Sequence, residues 1–196
     1  MTDASSQHDA LSKQADALLD AQQFDQALAL YGRLLALDAG RVAGWVNKGL
    51  VLWHLGRAQE ALPCYDRALA LDAGRVAGWV NKGLALWHLG RAQEAVPCYD
   101  RALALDTKSA LAWMNKGNSL HSIGRSPDEV LACYDRALEI DARLTSAWFN
   151  KGDTLARLGR FLEARACFEN ARDLGLTQAA ALVARCDEIL MNDLYA

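Results

Sequence analysis

Apolar residues recur through most of the chain in steps of three and four, a spacing that is typical of amphipathic helices. Residues 42–55 show the pattern, with one helical face carrying Trp45, Gly49, Leu52 and Leu55. Gly56 follows this segment, and glycine commonly ends a helix. The same spacing continues over residues 59–71, so the sequence predicts two helices joined by a short turn.

This pair of helices repeats along the chain at an almost fixed period. The markers Trp45, Trp79, Trp113 and Trp148 are separated by 34, 34 and 35 residues. Residues 41–74 and 75–108 differ at only four positions. Such a period predicts stacked repeats, because one hairpin alone cannot bury both of its faces. We expect a flexible leader over residues 1–7 and a final helix over residues 179–196. Between them we expect five repeats, at residues 8–41, 42–75, 76–109, 110–144 and 145–178.

Four of the five repeats carry a glycine in the middle of their first helix, namely Gly49, Gly83, Gly117 and Gly152. Glycine there destabilises a helix by about 1 kcal/mol relative to alanine, so we expect a packing reason for it. The reason that we infer is a close crossing of the two helices of a hairpin. Large aromatic residues would fill the space beside that crossing, namely Tyr65, Tyr99, Tyr134 and Phe168.

The fixed spacing of small and aromatic residues also carries a family resemblance. In the repeat formed by residues 42–75, the pattern consists of Trp45, Gly49, Gly56, Ala61, Tyr65 and Ala68. It resembles the tetratricopeptide repeat (TPR), which implies an all-α fold, a right-handed superhelix (solenoid) of five helical hairpins plus a C-terminal capping helix. Lysine stands where the family commonly has leucine, at Lys48, Lys82, Lys116 and Lys151. We expect these lysines to pair with Asp66, Asp100 and Asp135.

The resemblance also implies a concave groove lined by the first helix of each hairpin. The positions that would face it include an asparagine row, Asn47, Asn81, Asn115 and Asn150. Apolar and aromatic positions add Val46, Val80, Met114, Phe149, Leu50, Leu84, Trp53 and Trp87, with Asn118 as a further polar member. An asparagine offers both a donor and an acceptor, so the row could pair with the backbone of an extended peptide.

Two interpretations of these residues stay open. Each asparagine could contact a peptide, or it could bridge neighbouring helices without any ligand. Trp53 and Trp87 could be exposed anchors of the kind that dominate binding energy, or they could pack between adjacent hairpins. The sequence alone favours neither interpretation of the tryptophans.

One known role of TPR domains is disfavoured. The domains that bind the Hsp70 or Hsp90 tail use basic groove residues, together with two asparagines, to hold a terminal carboxylate. Asn118 and Asn150 match those asparagines, but Met114, Ala180 and Ala184 occupy the basic positions. A carboxylate clamp is therefore incomplete in this chain.

Composition and charge narrow the function further. The chain has 196 residues, is 52% hydrophobic and has a formal net charge of −3, so we expect neither nucleic-acid binding nor membrane insertion. Residues 1–7 lack the features of a secretory signal. Four of the five repeats carry a cysteine at the same position, namely Cys64, Cys98, Cys133 and Cys167. Equivalent atoms of stacked repeats lie too far apart for a disulfide, so we expect reduced thiols in a cytoplasmic protein.

No motif for catalysis, a cofactor or a metal is present, and His54 and His88 have no metal-ligand spacing. We therefore expect no enzyme, no cofactor and no metal site. The favoured function is a protein-interaction scaffold that binds a partner peptide or protein in its groove. The alternative is a self-assembling scaffold, a homo-oligomer without a dedicated peptide ligand, because nearly identical units offer self-similar surfaces.

Overall fold

The computed structural model describes the backbone of residues 2–194 and the side chains of residues 7–192. Within those residues the chain forms eleven α-helices and no strand, which confirms the predicted all-α class. The helices are α1 Thr2–Asp20, α2 Phe24–Leu37, α3 Val42–His54, α4 Ala58–Leu71, α5 Val76–His88, α6 Ala92–Leu105, α7 Ala110–Ser122, α8 Pro127–Ile140, α9 Thr145–Arg157, α10 Phe161–Asp173 and α11 Ala179–Leu194.

The predicted leader differs from what the structure shows. Helix α1 begins at Thr2, so the described backbone of residues 2–7 continues the first helix of the first hairpin. Residues 2–20 contain no glycine or proline that would interrupt a helix, which explains the extension. Met1 lies outside the described residues.

Glycines end the helices in the way that the sequence predicts. Gly56 has φ 74°, its N–H donates to Trp53 O at 2.9 Å, and the N–H of Arg57 donates to Leu52 O at 2.8 Å. This pair of bonds is a Schellman motif, which satisfies carbonyls that the helix leaves free. Gly90, Gly124, Gly159 and Gly175 take the same left-handed conformation. The first hairpin has Gln22 in that conformation instead, with φ 57°.

Contacts divide the chain into two compact units, residues 1–107 and 108–196. In the first unit, three hairpins are formed by α1 with α2, α3 with α4 and α5 with α6, and each hairpin packs on the next. Their cores centre on the buried rings of Tyr31, Tyr65 and Tyr99. The second unit pairs α7 with α8 and α9 with α10, and α11 packs on α10. There Phe168, Val183 and Cys186 belong to one buried cluster.

The mid-helix glycines lie where two helices cross closely, which confirms the predicted packing reason. A Cβ placed on Gly49 would lie 2.5 Å from Cε1 of Tyr65, a separation that no real Cβ tolerates. The same arrangement joins Gly83 to Tyr99, Gly117 to Tyr134 and Gly152 to Phe168. Each hairpin of this kind therefore requires glycine at the crossing.

Two of the predicted lysine pairs also form. Lys82 Nζ lies 2.7 Å from Asp66 Oδ1, and Lys151 Nζ lies 2.6 Å from Asp135 Oδ1. Each lysine also sits over the tryptophan of its own helix. None of the helices in residues 2–194 combines the length and apolar character needed to cross a lipid bilayer.

Candidate functional site

In the first unit, the predicted groove residues share one face of α3 and one face of α5, because they are spaced three or four residues apart. These two helices are in contact, so their faces form one surface. Its side chains are half-buried, namely Asn47, Leu50 and Trp53 on α3 and Val80, Asn81, Leu84 and Trp87 on α5. Val46 is only 4% exposed and therefore belongs to the core under this surface.

Asn47 bridges helices of the protein itself. Its Nδ2 donates to Asp16 Oδ1 at 3.0 Å, and the hydroxyl of Tyr31 donates to the same oxygen at 2.5 Å. The three residues tie α1, α2 and α3 together. Burial, and then the hydrogen bond to Asp16, raises the pKa of Tyr31 well above its ordinary value. Asn47 therefore bridges neighbouring helices of the first unit.

The second unit contains the same arrangement with an amide in place of the carboxylate. Asn118 Oδ1 accepts from Asn150 Nδ2 at 2.8 Å and from the hydroxyl of Tyr134 at 2.9 Å. Asn150 therefore links α9 to α7. The two asparagines that match a carboxylate clamp are hydrogen-bonded to each other, and Ala180 and Ala184 on α11 are exposed but carry no charge.

Asn81 is different, because the hairpin before it has no acceptor at the equivalent position. Leu50 stands where Asp16 and Asn118 stand in their hairpins. Among the described side chains Asn81 makes no hydrogen bond, and it is half-buried rather than enclosed. Its amide donor and its carbonyl acceptor are thus both open to a ligand on the surface of the first unit.

The remaining predicted groove residues of the second unit are less accessible. Asn115 and Met114 are each 9% exposed and lie in the core. The ring of Phe149 packs on Phe168, with 5.8 Å between ring centroids. The second unit therefore offers fewer open side chains than α3 and α5 do.

The two tryptophans of the first unit belong to a series of ring contacts at the ends of α3 and α5. Trp53 meets His88 edge to face, with centroids 5.2 Å apart, and Trp87 meets the same histidine at 5.1 Å. His54 stacks on Phe24 at 4.7 Å with the rings nearly parallel. Trp53 and Trp87 thus pack partly between hairpins while keeping part of their surface open. Sequence reasoning missed these contacts, because the spacing of the two histidines gives no signal of a ring partner.

The cysteines do not resemble nucleophiles. Burial raises the pKa of the Cys64 and Cys98 thiols and raises that of Cys167 to about 11. A raised pKa keeps a thiol protonated and unreactive at neutral pH. Among the described residues, no three His, Cys, Asp or Glu side chains come together as metal ligands would.

Comparisons with known proteins agree with this geometry. A family model described as "Tetratricopeptide repeat" matches residues 12–76 and 80–144, and a second model with that description matches residues 145–175. No curated protein sequence matches the chain.

Solved structures share the fold at low sequence identity. Pseudomonas aeruginosa pilF is 18% identical with a TM-score of 0.85, over 97% of this chain and 87% of that chain. MamA is 23% identical with a TM-score of 0.72, over 85% of this chain and 96% of that chain. YrrB, described as "a TPR protein with an unusual peptide-binding site", is 24% identical with a TM-score of 0.68, over 89% of this chain and 88% of that chain.

Proposed function

This chain belongs to the tetratricopeptide repeat family, whose members mediate protein–protein interaction, and we propose that it is a scaffold that binds an extended peptide of a partner protein. The peptide would lie across α3 and α5 of the first unit. The single observation that carries the proposal is the open side-chain amide of Asn81.

The surface around Asn81 has the chemistry that such a peptide needs. Leu50 on α3 and Val80 and Leu84 on α5 are half-buried apolar side chains of the same surface. They would contact apolar side chains of the peptide. The amide of Asn81 would pair with a peptide N–H and C=O, a contact that does not depend on the peptide sequence. Trp53 and Trp87, whose rings are held by His88, would supply rigid aromatic contact area.

The other asparagines have a different role in this proposal. Asn47 and Asn150 hold hairpins together, and Asn115 is buried. They would fix the shape of the surface rather than contact the peptide. No catalytic group takes part, and we propose a cytoplasmic location because the five cysteines are free thiols.

A random peptide library displayed on phage tests the proposal, because it offers the surface many peptide sequences at once. Peptides selected on the wild-type protein would be labelled, and their dissociation constants would be measured by fluorescence anisotropy. We expect Asn81→Ala to weaken binding by at least about fivefold, because a peptide amide loses its partner. Gln59→Ala, an exposed change on α4, is the matched control and should leave affinity unchanged. Equal affinity for wild type and Asn81→Ala would contradict the proposal.

Self-assembly remains the second candidate, because residues 41–74 and 75–108 present nearly the same surface twice. Light scattering on the purified chain over a wide concentration range separates it from the first. A mass that rises with concentration would favour self-assembly. A monomer mass at every concentration would contradict it.

A further inference from the structure

The first unit contains two equivalent cavities that share no residue with the surface around Asn81. One has a volume of about 650 Å³ and the other about 540 Å³. Trp45, Lys48 and Cys64 line the larger cavity, and the residues 34 positions later, Trp79, Lys82 and Cys98, line the smaller. The sequence repeat thus forms the same cavity twice. The lining residues of the two cavities can therefore be compared position by position.

The larger cavity combines an apolar wall with positive charge. Leu28, Leu52 and Pro63 supply the apolar part, and the indole of Trp45 stands beside them. The volume lies in the range of cavities that hold small ligands or one or two side chains. A ligand that fits it therefore needs an apolar group.

The lining residues of the two cavities differ in charge at one position. In the smaller cavity, Asp66 neutralises Lys82 at 2.7 Å. The equivalent of Asp66 in the preceding hairpin is Gly32, so Lys48 has no carboxylate to pair with. Among the described side chains Lys48 makes no ion pair, and its Nζ lies 5.5 Å above the ring of Trp45.

A second cation of the larger cavity is also unpaired. Arg57 donates two hydrogen bonds of 2.7 Å to the carboxylate of Glu60. Glu60 is the one acidic residue that lines the larger cavity, and its charge is therefore already paired with Arg57. Arg67 forms no ion pair within the described part of the chain. The larger cavity therefore holds two cations without a partner, Lys48 and Arg67. In the smaller cavity, Arg101 is the one lining cation that no described carboxylate pairs.

We propose that the larger cavity is a second binding site, which takes a carboxylate side chain of a partner protein together with the apolar side chain next to it. The apolar group would lie against Leu28, Leu52 and Trp45. The carboxylate would reach Lys48 and Arg67. The occupant is a side chain of a longer polypeptide, because Arg67 is an exposed residue and the charged edge of the cavity faces solvent.

The two cavities provide the reporter for a test. The indole N–H groups of Trp45 and Trp79 make the same hydrogen bond, at 2.9 Å to Ala39 O and Ala73 O respectively. Their resonances in a ¹⁵N-labelled sample can be assigned with Trp45→Phe and Trp79→Phe. The probe is the blocked peptide acetyl-Gly-Phe-Glu-Gly-amide, and its partner probe carries Gln in place of Glu.

With the wild-type protein, we expect the Glu peptide to shift the Trp45 resonance at a concentration about fivefold lower than it needs to shift that of Trp79. The Gln peptide should bind about fivefold more weakly, because it lacks the charge that two unpaired cations attract. Equal binding of the Glu and Gln peptides, or no shift at Trp45, would overturn the proposal. So would N-acetylphenylalanine binding as tightly as the peptide, because the site would then take a free small acid.

Exchanging the distinguishing residue between the two cavities gives the sharpest comparison. Gly32→Asp adds the missing carboxylate, and a Cβ at Gly32 has no atom within 4 Å to clash with. We expect this variant to bind the Glu peptide no better than the Gln peptide. Asp66→Asn should free Lys82, so that the Trp79 resonance responds at about the same concentration of the Glu peptide as that of Trp45. An unchanged response in both variants would overturn the assignment of charge to Lys48.

One further variant keeps this site distinct from the surface around Asn81. Asn81→Ala should leave the Trp45 response to the Glu peptide unchanged, whatever it does to peptides selected from a library. Loss of the Trp45 response in Asn81→Ala would mean that the probe binds at the Asn81 surface, and it would overturn the second site.

Discussion

The ring of Tyr65 lies against the backbone of Gly49, so closely that a Cβ on the glycine would be 2.5 Å from Cε1 of the tyrosine. We therefore predict that Gly49→Ala lowers the free energy of unfolding by about 1–2 kcal/mol. The overpacking against a buried ring outweighs the roughly 1 kcal/mol that alanine adds to helix stability. Chemical denaturation followed by circular dichroism measures the difference.

Gly32 provides the matched control for that substitution. It also lies inside a helix, α2, but a Cβ there would meet no atom within 4 Å. Gly32→Ala should raise the free energy of unfolding by about 0.5–1 kcal/mol. If both alanine variants were stabilised, close packing would not be the reason for the mid-helix glycines.

The first turn of the chain offers a stabilising change. Gln22 has φ 57°, the left-handed conformation that glycine adopts in the later hairpins. Gln22→Gly removes the steric strain of a side chain in that region, which outweighs the added freedom of the unfolded chain. We expect a rise of roughly 0.5 kcal/mol in the free energy of unfolding. The reverse exchange, Gly56→Gln, should lower stability, and a stabilised Gly56→Gln would contradict this explanation of the turns.

Asn118 is predicted to be structural rather than ligand-binding. Asn118→Ala would leave the hydroxyl of Tyr134 and the amide of Asn150 without their shared acceptor. We expect a loss of about 1–3 kcal/mol in the free energy of unfolding, the usual effect of leaving partly buried polar groups unsatisfied. The double variant Asn118→Ala with Asn150→Ala should lose less than the sum of the single losses. Additive losses would contradict the hydrogen-bonded pair.

Stability should fall in alkaline solution. Burial raises the pKa of the Cys167 thiol from 9.0 to about 11, and burial also raises the pKa of Tyr65. An acid whose pKa is raised by folding stabilises the native state below its unfolded pKa. That stability is lost as the pH rises through the folded pKa. Denaturation at increasing pH should show a decline that begins near pH 9.0, the unfolded value of the thiol, and Cys167→Ala should make it shallower.

Local chemistry in the sequence was sufficient to predict much of the fold. The mid-helix position of Gly49 against the aromatic Tyr65 predicted a close crossing, because only a missing side chain explains a glycine there. Gly56 predicted the end of a helix from its own conformational freedom. The pairing of Lys82 with Asp66 also followed from the repeat, since each residue recurs at the same spacing in neighbouring hairpins.

The site was predicted less well, because its residues depend on neighbours in the preceding hairpin. Asn47 and Asn81 occupy equivalent positions in their repeats. Asn47 donates to Asp16 in the preceding hairpin, whereas the equivalent residue in the hairpin before Asn81 is Leu50, whose side chain has no acceptor. Helical spacing places Val46 on the groove side but does not tell how deep it lies. The turn at Gln22 was missed because its residue type gives no signal of a left-handed backbone.

The central claim is that the amide of Asn81 pairs with the backbone of a bound peptide. A double-mutant cycle on a library-selected peptide tests it most directly, by combining Asn81→Ala with N-methylation of each peptide nitrogen in turn and measuring the dissociation constants. We predict one nitrogen at which the two changes are non-additive by about 1 kcal/mol, because each removes the same hydrogen bond. Additive losses at every nitrogen would contradict the claim.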